Sequence, residues 1–474
     1  MAASLHLSPQ PRDTPRLPRL VHDVTGALVG IAPTFEHCRT MQARRCRLMT
    51  INTTPFIVLG NGTNDPYLLS RHNLRRHFYM LGKTGSGKTT LMHNMAVQDL
   101  EQGRGLALID PHGDEAERLL QHVPRSRTKH VVYFNPGDLE HCVGLNVLEN
   151  VPEDARPFVT SGVIDAFHSV WRDSWGPRLE HFLRNAVLAL MDTPDATLIG
   201  VPKMYLFADY REYVLKHVTN PIVRQFWEDE YASYPESYKR EAMGPVLNKL
   251  EAFLVYPVIA NIVGHPKSTF DVRYFMDNRQ ALIANLSKGV IGDEAANLLG
   301  SLLVTKIHQA AMSRADQREE DRVDFTLYVD EFQSFTTDTF ASSLAEARKY
   351  RLALVLANQY LDQLSPAVRA AVLGNVGTLV VFRPSSVDVT SHLERELYPS
   401  QFQHIVELEP YEAWIKSPHH ANTEHLITLA PKPPSGERGH KVIAQSRRRY
   451  TRPRQAAEDA VIRQIESGYR TQGA

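Results

Sequence analysis

Residues 78–90 read Phe-Tyr-Met-Leu-Gly-Lys-Thr-Gly-Ser-Gly-Lys-Thr-Thr, an apolar run that leads into a glycine-rich loop. The glycines let the backbone curl so that its N–H groups face an anion, and the helical pattern from Leu91 points the positive end of a helix at the same place. The loop matches the pattern G-x-x-x-x-G-K-[ST] over its full length. We therefore predict a phosphate-binding loop, in which Lys88 reaches the β- and γ-phosphates and Thr89 holds Mg²⁺. The predicted binding residues are Gly82, Lys83, Thr84, Gly85, Ser86, Gly87, Lys88, Thr89 and Thr90.

Six other short apolar runs predict further strands of the same sheet. They are Leu106–Ile109, Val131–Phe134, Ala281–Leu286, Phe325–Val329, Leu352–Ala357 and Thr378–Arg383. Runs of this length without alternation are typical of strands that are buried on both faces. Because longer helical patterns separate them, the sequence predicts an α/β fold with a mostly parallel, doubly wound sheet.

The alternation of strands and helices breaks between residues 151 and 270, where the pattern is helical. We predict an all-α insertion at 151–270 between two halves of one core, at 49–150 and 271–430. Residues 1–48 are rich in Pro and Arg and predict a disordered basic arm. Because a more ordered-looking segment begins at Met49, the true start is either Met1 or Met49. Residues 431–474 predict a basic tail that ends in a helix.

The run Phe325–Val329 ends in two carboxylates, Asp330 and Glu331. An apolar strand with an acidic end has little meaning alone, but after a complete phosphate loop it predicts the second half of a nucleotide site. Asp330 would join Thr89 around Mg²⁺, and Glu331 would polarise the attacking water.

The segment Asp110-Pro111-His112-Gly113 raises the question of which base is bound. It fits the D-x-x-G pattern of GTP-binding proteins, but the guanine-reading pattern N-K-x-D is missing. Asn248-Lys249-Leu250-Glu251 comes near that pattern and lies inside a helical stretch. We therefore favour ATP, and we expect Asp110–Gly113 to face either the nucleotide or a subunit boundary.

Two further features suit ATP hydrolysis. The run Leu352–Ala357 is followed by Asn358 and Gln359, and an amide at the tip of a core strand can sense the γ-phosphate. A ring ATPase also inserts an arginine into its neighbour's site, which contributes about 10³–10⁵ in rate. Arg348, Arg351 and Arg383 are candidates, although each is equally well explained as a surface or ion-pairing arginine.

Composition bounds the class of protein. The 474 residues exceed one ordinary core, which stops growing at roughly 250–300 residues. The formal net charge is zero, so attraction to nucleic acid has to come from local basic clusters. The three cysteines lack zinc-type spacing, and the uncharged run Val24–Phe35 is shorter than the about 20 residues that cross a bilayer. We expect a cytoplasmic protein without a membrane span.

In this order, the motifs resemble the FtsK–HerA superfamily of DNA-pumping ATPases, and among them the TraD-like type IV coupling proteins of conjugation. The resemblance runs from about Thr50 to Arg454. Its carriers are GKTGSGKTT at 82–90, LIDPHGD at 108–114, a helical segment after LNVLEN at 145–150, LYVDEF at 327–332, ARKYRLALVLANQ at 347–359 and GTLVVFR at 377–383. Many ATPases share the first of these, whereas the combination is much more specific.

The resemblance implies a role for individual residues. It implies phosphate binding by Lys88, Mg²⁺ binding by Thr89 and Asp330, catalysis by Glu331, a γ-phosphate sensor at Gln359 and an in-trans arginine at Arg348. Arg348 stands eleven residues before Gln359, as in coupling proteins, and therefore ranks above Arg351 and Arg383. Membrane-bound coupling proteins also carry N-terminal transmembrane helices, which this sequence lacks.

The sequence thus predicts a RecA-like α/β ATPase with an all-α insertion that works as a homohexameric ring. Its expected work is ATP-driven movement of DNA through a central pore, with a relaxase, a nuclease or a secretion channel as partner. The main alternative is an ATPase that remodels or signals through a protein partner without DNA. A binding module with a purely structural phosphate loop is a third class, against which Lys88, Asp330 and Glu331 argue.

Overall fold

The computed structural model describes residues 56–62, 65–171, 175–336, 338–385, 405–418, 422–434 and 436–466, together with Asp388, Leu393 and Glu396. The basic arm predicted for residues 1–48 and the alternative start at Met49 lie outside the described residues. Among the helices of these ranges, none combines the length and the apolar character needed to cross a membrane.

A single large sheet organises the fold. The strands are β1 (Phe56–Asn61), β2 (Pro66–Ser70), β3 (Phe78–Leu81), β4 (Gly105–Asp110), β5 (Val131–Phe134), β6 (His141–Cys142), β7 (Ala281–Asn285), β8 (Phe325–Val329), β9 (Leu352–Asn358), β10 (Thr378–Val381), β11 (Glu412–Lys416), β12 (Glu424–Thr428) and β13 (Arg452–Pro453). The large sheet has the order β2-β1-β12-β11-β10-β3-β9-β8-β4-β7-β5, and β13 pairs with β6 in a separate ribbon.

The half of the sheet from β10 to β5 is entirely parallel. Every residue of its seven strands is buried. Strands that helices cover on both faces need apolar side chains at successive positions, so they form the continuous runs recognised in the sequence. The predicted α/β fold with a mostly parallel sheet is confirmed.

The other half of the sheet, formed by β11, β12, β1 and β2, is antiparallel and was not predicted. In β11, the sequence Glu-Ala-Trp-Ile-Lys alternates between buried and partly exposed side chains. Alternation over five residues is a weak signal, which explains the omission. Two predicted strands also extend too far, since Leu286 and the pair Phe382–Arg383 lie in the loops that follow β7 and β10.

Helices cover both faces of the sheet. They are α1 (Arg71–Leu74), α2 (Lys88–Glu101), α3 (Asp114–Leu120), α4 (Arg156–Val170), α5 (Pro177–Met191), α6 (Gly200–Leu206), α7 (Ala208–Leu215), α8 (Pro221–Gln225), α9 (Glu236–Leu254), α10 (Pro257–Val263), α11 (Val272–Asp277), α12 (Lys288–Ile291), α13 (Asp293–Met312), α14 (Asp338–Ala347), α15 (Pro366–Asn375), α16 (Gly439–Tyr450) and α17 (Arg454–Glu466). In the described residues from β6 to β7, the regular elements are helical, and a π-helical stretch at Phe226–Tyr231 continues α8.

Two hydrophobic cores lie on opposite faces of the sheet. One contains the apolar side chains of α2, α3 and α16. The other contains those of α13, α14 and α15 and continues without interruption into the helices α4 to α10. The helical region therefore shares its core with one face of the sheet, which holds the sheet between helices and leaves the strand ends to form a site.

Candidate nucleotide site

The candidate site lies where the parallel strands end. β3 and β8 are followed by Gly82 and Asp330, and β4, β7 and β9 end in Asp110, Asn285 and Asn358. Asp110 and Asn285 are register partners in adjacent strands. Because the carboxyl ends of parallel strands meet at one edge, these polar side chains converge although they are far apart in sequence.

The phosphate loop runs from β3 into α2. Gly85 and Gly87 have left-handed φ values of 77° and 114°, which side chains with a Cβ rarely adopt. Gly87 is the N-cap of α2, so the positive end of a 14-residue helix faces the loop. Lys83, Thr84 and Gly85 form the exposed tip, whereas Ser86 and Lys88 are buried. The loop predicted from the sequence is thus folded between β3 and α2.

The Lys88 side chain points back to the start of the phosphate loop. Its Nζ donates to the carbonyl oxygens of Gly82 at 2.5 Å and Lys83 at 3.1 Å. Burial lowers the pKa of Lys88, and the charges of Asp330 and Glu331 oppose that shift. The ammonium group is therefore held ready at the point where phosphate charge would arrive.

Thr89 and Asp330 are brought together as predicted for a pair of Mg²⁺ ligands. Thr89 Oγ1 donates to Asp330 Oδ2 at 2.7 Å. Burial raises the pKa of Asp330, while hydrogen bonds from Thr89 and from the Glu331 N–H, together with the charge of Lys88, act in the opposite direction. A carboxylate in such surroundings is stabilised by a cation, and hydroxyl and carboxylate oxygens are the ligands that Mg²⁺ prefers.

Glu331 occupies an unusual backbone position directly after Asp330. Its φ of 46° and ψ of 49° are left-handed, and its N–H donates to Asp330 Oδ1 at 2.8 Å. Non-glycine residues in this region carry a cost that functional sites tolerate. The turn directs the Glu331 carboxylate away from β8 and towards the end of β9.

Gln359 meets Glu331 there. Gln359 Nε2 donates to Glu331 Oε1 at 3.3 Å. The end of β9 is held by its neighbours, because Tyr79 donates its hydroxyl hydrogen to Asn358 Oδ1 and Asn358 Nδ2 donates to the Tyr360 carbonyl at 2.8 Å. Asn358 therefore supports the strand end, while Gln359 faces the site.

Two further residues contact Glu331: His112, in the segment Asp110–Gly113 that was expected to face the nucleotide or a subunit boundary, and Lys288, which the sequence did not indicate. His112 Nε2 lies 3.0 Å from Glu331 Oε1, and Lys288 Nζ lies 3.6 Å from Glu331 Oε2. Lys288 also donates to Ser334 Oγ at 3.0 Å. The available signal was position, since both residues follow shortly after buried parallel strands, β4 and β7.

Arg348 lies near the amino end of β9, whereas Lys88 lies at the carboxyl ends of the parallel strands. Arg348 precedes β9 while Gln359 follows it, so a seven-residue strand of roughly 20 Å separates the two. The Arg348 side chain is exposed, and together with Arg76 it borders a cavity of about 390 Å³. Neither guanidinium has an ion-pair partner among the described residues. Arg348 therefore does not complete the nucleotide site of its own chain.

The turn that carries Arg348 is anchored by His77. The ring of His77 accepts from the Leu354 N–H at 3.2 Å and contacts the Leu344 carbonyl oxygen at 2.8 Å. This arrangement requires the neutral tautomer that carries its proton on Nε2. Burial lowers the pKa of His77 to about 4, and the nearby charge of Arg348 contributes to the same direction.

The two other arginine candidates have different surroundings. Arg351, with a left-handed φ of 57°, lies 3.8 Å from Asp324, which also pairs with Arg75 at 2.7 Å. Arg383 lies at the nucleotide edge, where its carbonyl accepts the Lys83 N–H at 2.9 Å. Arg351 thus has a structural role, and Arg383 stands beside the phosphate loop of its own chain.

The residues present fit a nucleotide with Mg²⁺. Ser86 is buried, yet its Oγ has no hydrogen-bond partner within the described residues. A buried hydroxyl without a partner is rare, and a phosphate oxygen would satisfy it. Together, Lys88, Thr89 and Asp330 supply the cation and the oxygen ligands that a Mg²⁺-phosphate group requires.

A phosphate loop between a strand and a helix, facing an acidic strand end in a mostly parallel sheet, defines a P-loop nucleotide-binding protein of the RecA-like class. The profile of the type IV secretion-system coupling protein DNA-binding domain family matches residues 68–405. The chain belongs to this family, as the resemblance implied.

Solved structures share the fold. The plasmid coupling protein TrwB in complex with the non-hydrolysable ATP analogue ADPNP is 19% identical, with a TM-score of 0.56 over 84% of this chain and 93% of that chain. TrwB in complex with ADP and Mg²⁺ is 17% identical, with a TM-score of 0.55 over 84% and 94%. VirB4 of Thermoanaerobacter pseudethanolicus is 16% identical, with a TM-score of 0.56 over 81% and 98%. A comparison with curated protein sequences found no match.

Glu331→Gln is expected to lower kcat for ATP hydrolysis by about 10²–10⁴, the usual contribution of a general base. ATP should still bind, because the amide keeps the shape of the carboxylate and leaves Lys88 and Thr89 in place. Steady-state hydrolysis and the affinity for a fluorescent ATP analogue measure the two effects separately. Glu320→Gln, which alters an exposed carboxylate on another surface, is the control. Hydrolysis by Glu331→Gln at the wild-type rate would remove Glu331 from the catalytic role.

Proposed function

We propose that the protein is a Mg²⁺-dependent ATPase that assembles as a homohexameric ring and moves DNA through its central pore. Lys88, Ser86 and the loop N–H groups bind the phosphates, Thr89 and Asp330 hold Mg²⁺, and Glu331 activates water while Gln359 senses the γ-phosphate. The complexes of TrwB with ADPNP and with ADP and Mg²⁺ support the choice of ATP and Mg²⁺ as ligands.

The ring is supported by the separation of the catalytic groups between two edges of the sheet. Glu331 and Lys88 occupy one edge, and Arg348 is exposed beside a cavity at the other. An arginine that is too far from its own nucleotide can reach that of a neighbour when subunits pack head to tail, and repeated head-to-tail packing closes into a ring. The proposed in-trans role of Arg348 follows from this arrangement.

DNA as the substrate is supported by the description of the chain's family as a DNA-binding domain. The helix α16 adds a local basic surface despite the zero net charge of the chain. It contains His440, Lys441 and three consecutive arginines, 447–449, and no acidic residue. Its inner side is fixed, since Val442 is buried and Ser446 Oγ accepts the N–H of Tyr133 in the edge strand β5 at 2.8 Å.

The outer side of α16 is suited to phosphate. Arg447 pairs with Asp138 at 2.7 Å, whereas Arg448 and Arg449 are exposed without a carboxylate partner in the described residues. Burial lowers the pKa of the nearby His130, and the charges of Arg449, Arg127 and Lys129 act in the same direction. We propose that this face of α16 contacts the DNA backbone, and that it does so in addition to the contacts made by the pore.

We further propose five segments. Residues 1–48 form the arm, 49–150 the first half of the core, 151–270 the all-α insertion, 271–430 the second half of the core and 431–474 the tail. We propose that the ATPase acts in the cytoplasm, with a relaxase, a nuclease or a secretion channel as its partner. An ATPase that acts on a protein without DNA is the alternative. Stimulation of ATP hydrolysis by DNA, together with the mass of the ATP-bound assembly, distinguishes the two.

DNA affinity is expected to fall with salt, and the combined variant Arg448→Gln, Arg449→Gln is expected to bind more weakly with a shallower slope. Each phosphate contact contributes about −0.9 to the log–log slope on duplex DNA and about −0.7 on single strands, so each lost contact removes that amount. Affinity should be measured between low and moderate salt with an ATP analogue present.

Arg178→Gln with Arg240→Gln, on the helices α5 and α9, removes the same charge from another surface and is the control. An unchanged slope in the α16 variant would exclude this face from DNA contact. Absence of any DNA binding by the wild type at low salt would favour the protein-directed alternative.

A further inference from the structure

The segment Asp110-Pro111-His112-Gly113 has no role in the mechanism so far, yet its fold is tightly specified. Asp110 is buried, and its two carboxylate oxygens accept the N–H groups of His112 and Ala116, each at 2.9 Å. Both oxygens therefore shape the turn from β4 into α3. The Asp110 carboxylate is thus used to hold the backbone of the turn, and the side chain that the turn presents to the candidate nucleotide site is that of His112.

The turn is also held from the neighbouring strand β7. A Cβ on Gly113 would lie 2.5 Å from Asn285 Oδ1, so the turn packs directly against the end of β7. The Pro111 carbonyl accepts the N–H of Lys288 at 2.9 Å, which ties the turn to the segment after β7. The backbone of His112 is thus fixed by contacts that do not involve its own side chain.

The His112 side chain reaches Glu331 from this fixed position. Its Nε2 lies 3.0 Å from Glu331 Oε1, the same oxygen that accepts from Gln359 at 3.3 Å, while Lys288 approaches Oε2 at 3.6 Å. The Glu331 carboxylate is therefore contacted from three directions, by residues that follow β4, β7 and β9.

We propose that His112 is a positioning residue for Glu331, and that the Asp110–Gly113 turn serves to deliver its Nε2–H to one oxygen of that carboxylate. The contact fixes the side-chain torsions of Glu331, so the carboxylate faces the place of the attacking water before ATP arrives. The proposal rests on the proposed role of Glu331 as the water-activating carboxylate.

The size of the effect follows from geometry. Displacement of a catalytic group by about 1 Å can cost about 10²-fold in rate. His112 is 56% exposed on its side chain, so its replacement leaves no cavity and should not unfold the chain. His112→Ala is therefore expected to slow hydrolysis by about 10- to 100-fold while ATP affinity and the melting temperature stay near the wild-type values.

The first experiment measures single-turnover hydrolysis and ATP-analogue affinity for His112→Ala and His112→Gln. The glutamine amide places an N–H close to the former Nε2–H, so His112→Gln should recover much of the rate that His112→Ala loses. His72→Ala, an exposed histidine on α1, is the matched control. A wild-type rate in His112→Ala, a loss of ATP affinity, or the absence of recovery in His112→Gln would each overturn the proposal.

The second experiment places His112→Ala in the Glu331→Gln background. If His112 acts through the Glu331 carboxylate, the double variant should hydrolyse ATP at the rate of Glu331→Gln alone, because the group being positioned is already gone. Additive losses would overturn the proposal, since His112 would then act on the substrate independently. A wild-type rate in Glu331→Gln alone is the distinct outcome that would refute the proposed function of Glu331.

Discussion

Lys88→Ala is expected to lower kcat/KM for ATP hydrolysis by about 10³–10⁵ without unfolding the protein. The loss has two parts. A charged hydrogen bond to phosphate contributes about 1.5–3 kcal/mol to ground-state binding. A donor directed at charge that develops in the transition state contributes about 10²–10³ in rate. The change should therefore appear in both ATP affinity and kcat.

The fold should survive this substitution because the hydrogen bonds of the Lys88 ammonium go to two carbonyl oxygens of the phosphate loop. Lys216→Ala, which removes an exposed lysine after α7, is the control for a change of charge alone. Hydrolysis and thermal melting should be measured on the same samples. Normal turnover in Lys88→Ala would refute the assignment of the phosphate loop.

Arg348→Ala is expected to lower kcat by about 10³–10⁵ while ATP binds nearly as in the wild type. The guanidinium would act on charge that develops in the transition state of a neighbouring subunit, so ground-state affinity should change little. Lys349→Ala, the adjacent exposed cation, is the matched control and should retain activity. Affinity for an ATP analogue and the rate of hydrolysis give the two quantities.

Mixing of subunits tests whether Arg348 acts across a boundary. Arg348→Ala and Lys88→Ala are each expected to be inactive alone. In a mixed ring, some sites combine an intact Lys88 with an intact Arg348 from the neighbour, and activity should partly return. An arginine that acted within its own chain would restore nothing in any arrangement. No recovery in rings that are shown to be mixed would exclude Arg348 and leave Arg383 and Arg351 as the next candidates.

The contrast between the two halves of the sheet explains which strands could be predicted. β3, β8 and β9 are covered on both faces, so their sequences are apolar at every position and stand out locally. β11 and β12 are covered less completely and carry Glu, Lys and His at partly exposed positions. Their place in the sheet depends on pairing with β10 and β1, which are distant in sequence.

The catalytic site shows the same division. Lys88, Thr89 and the turns around them follow from a local pattern, because glycine spacing and the start of a helix determine the loop. Asp330 and Glu331 were recognised because a strand end bears two acids. The surroundings of Glu331 were beyond local reasoning, since His112, Lys288 and Gln359 belong to three other strand ends.

Local sequence patterns are therefore enough to establish the class of fold, the phosphate loop and the acidic strand end, and the combination of motifs is enough to establish the family. The set of side chains that meets at Glu331, and the position of Arg348 at the opposite end of β9 from Gln359, follow only from the three-dimensional packing. The physical reason is the order of the strands. Crossover connections place β4 beside β8 and β7 beside β4, while β9 lies on the other side of β8, so contacts at the carboxyl ends of these strands depend on strand order and register, which no local sequence pattern encodes.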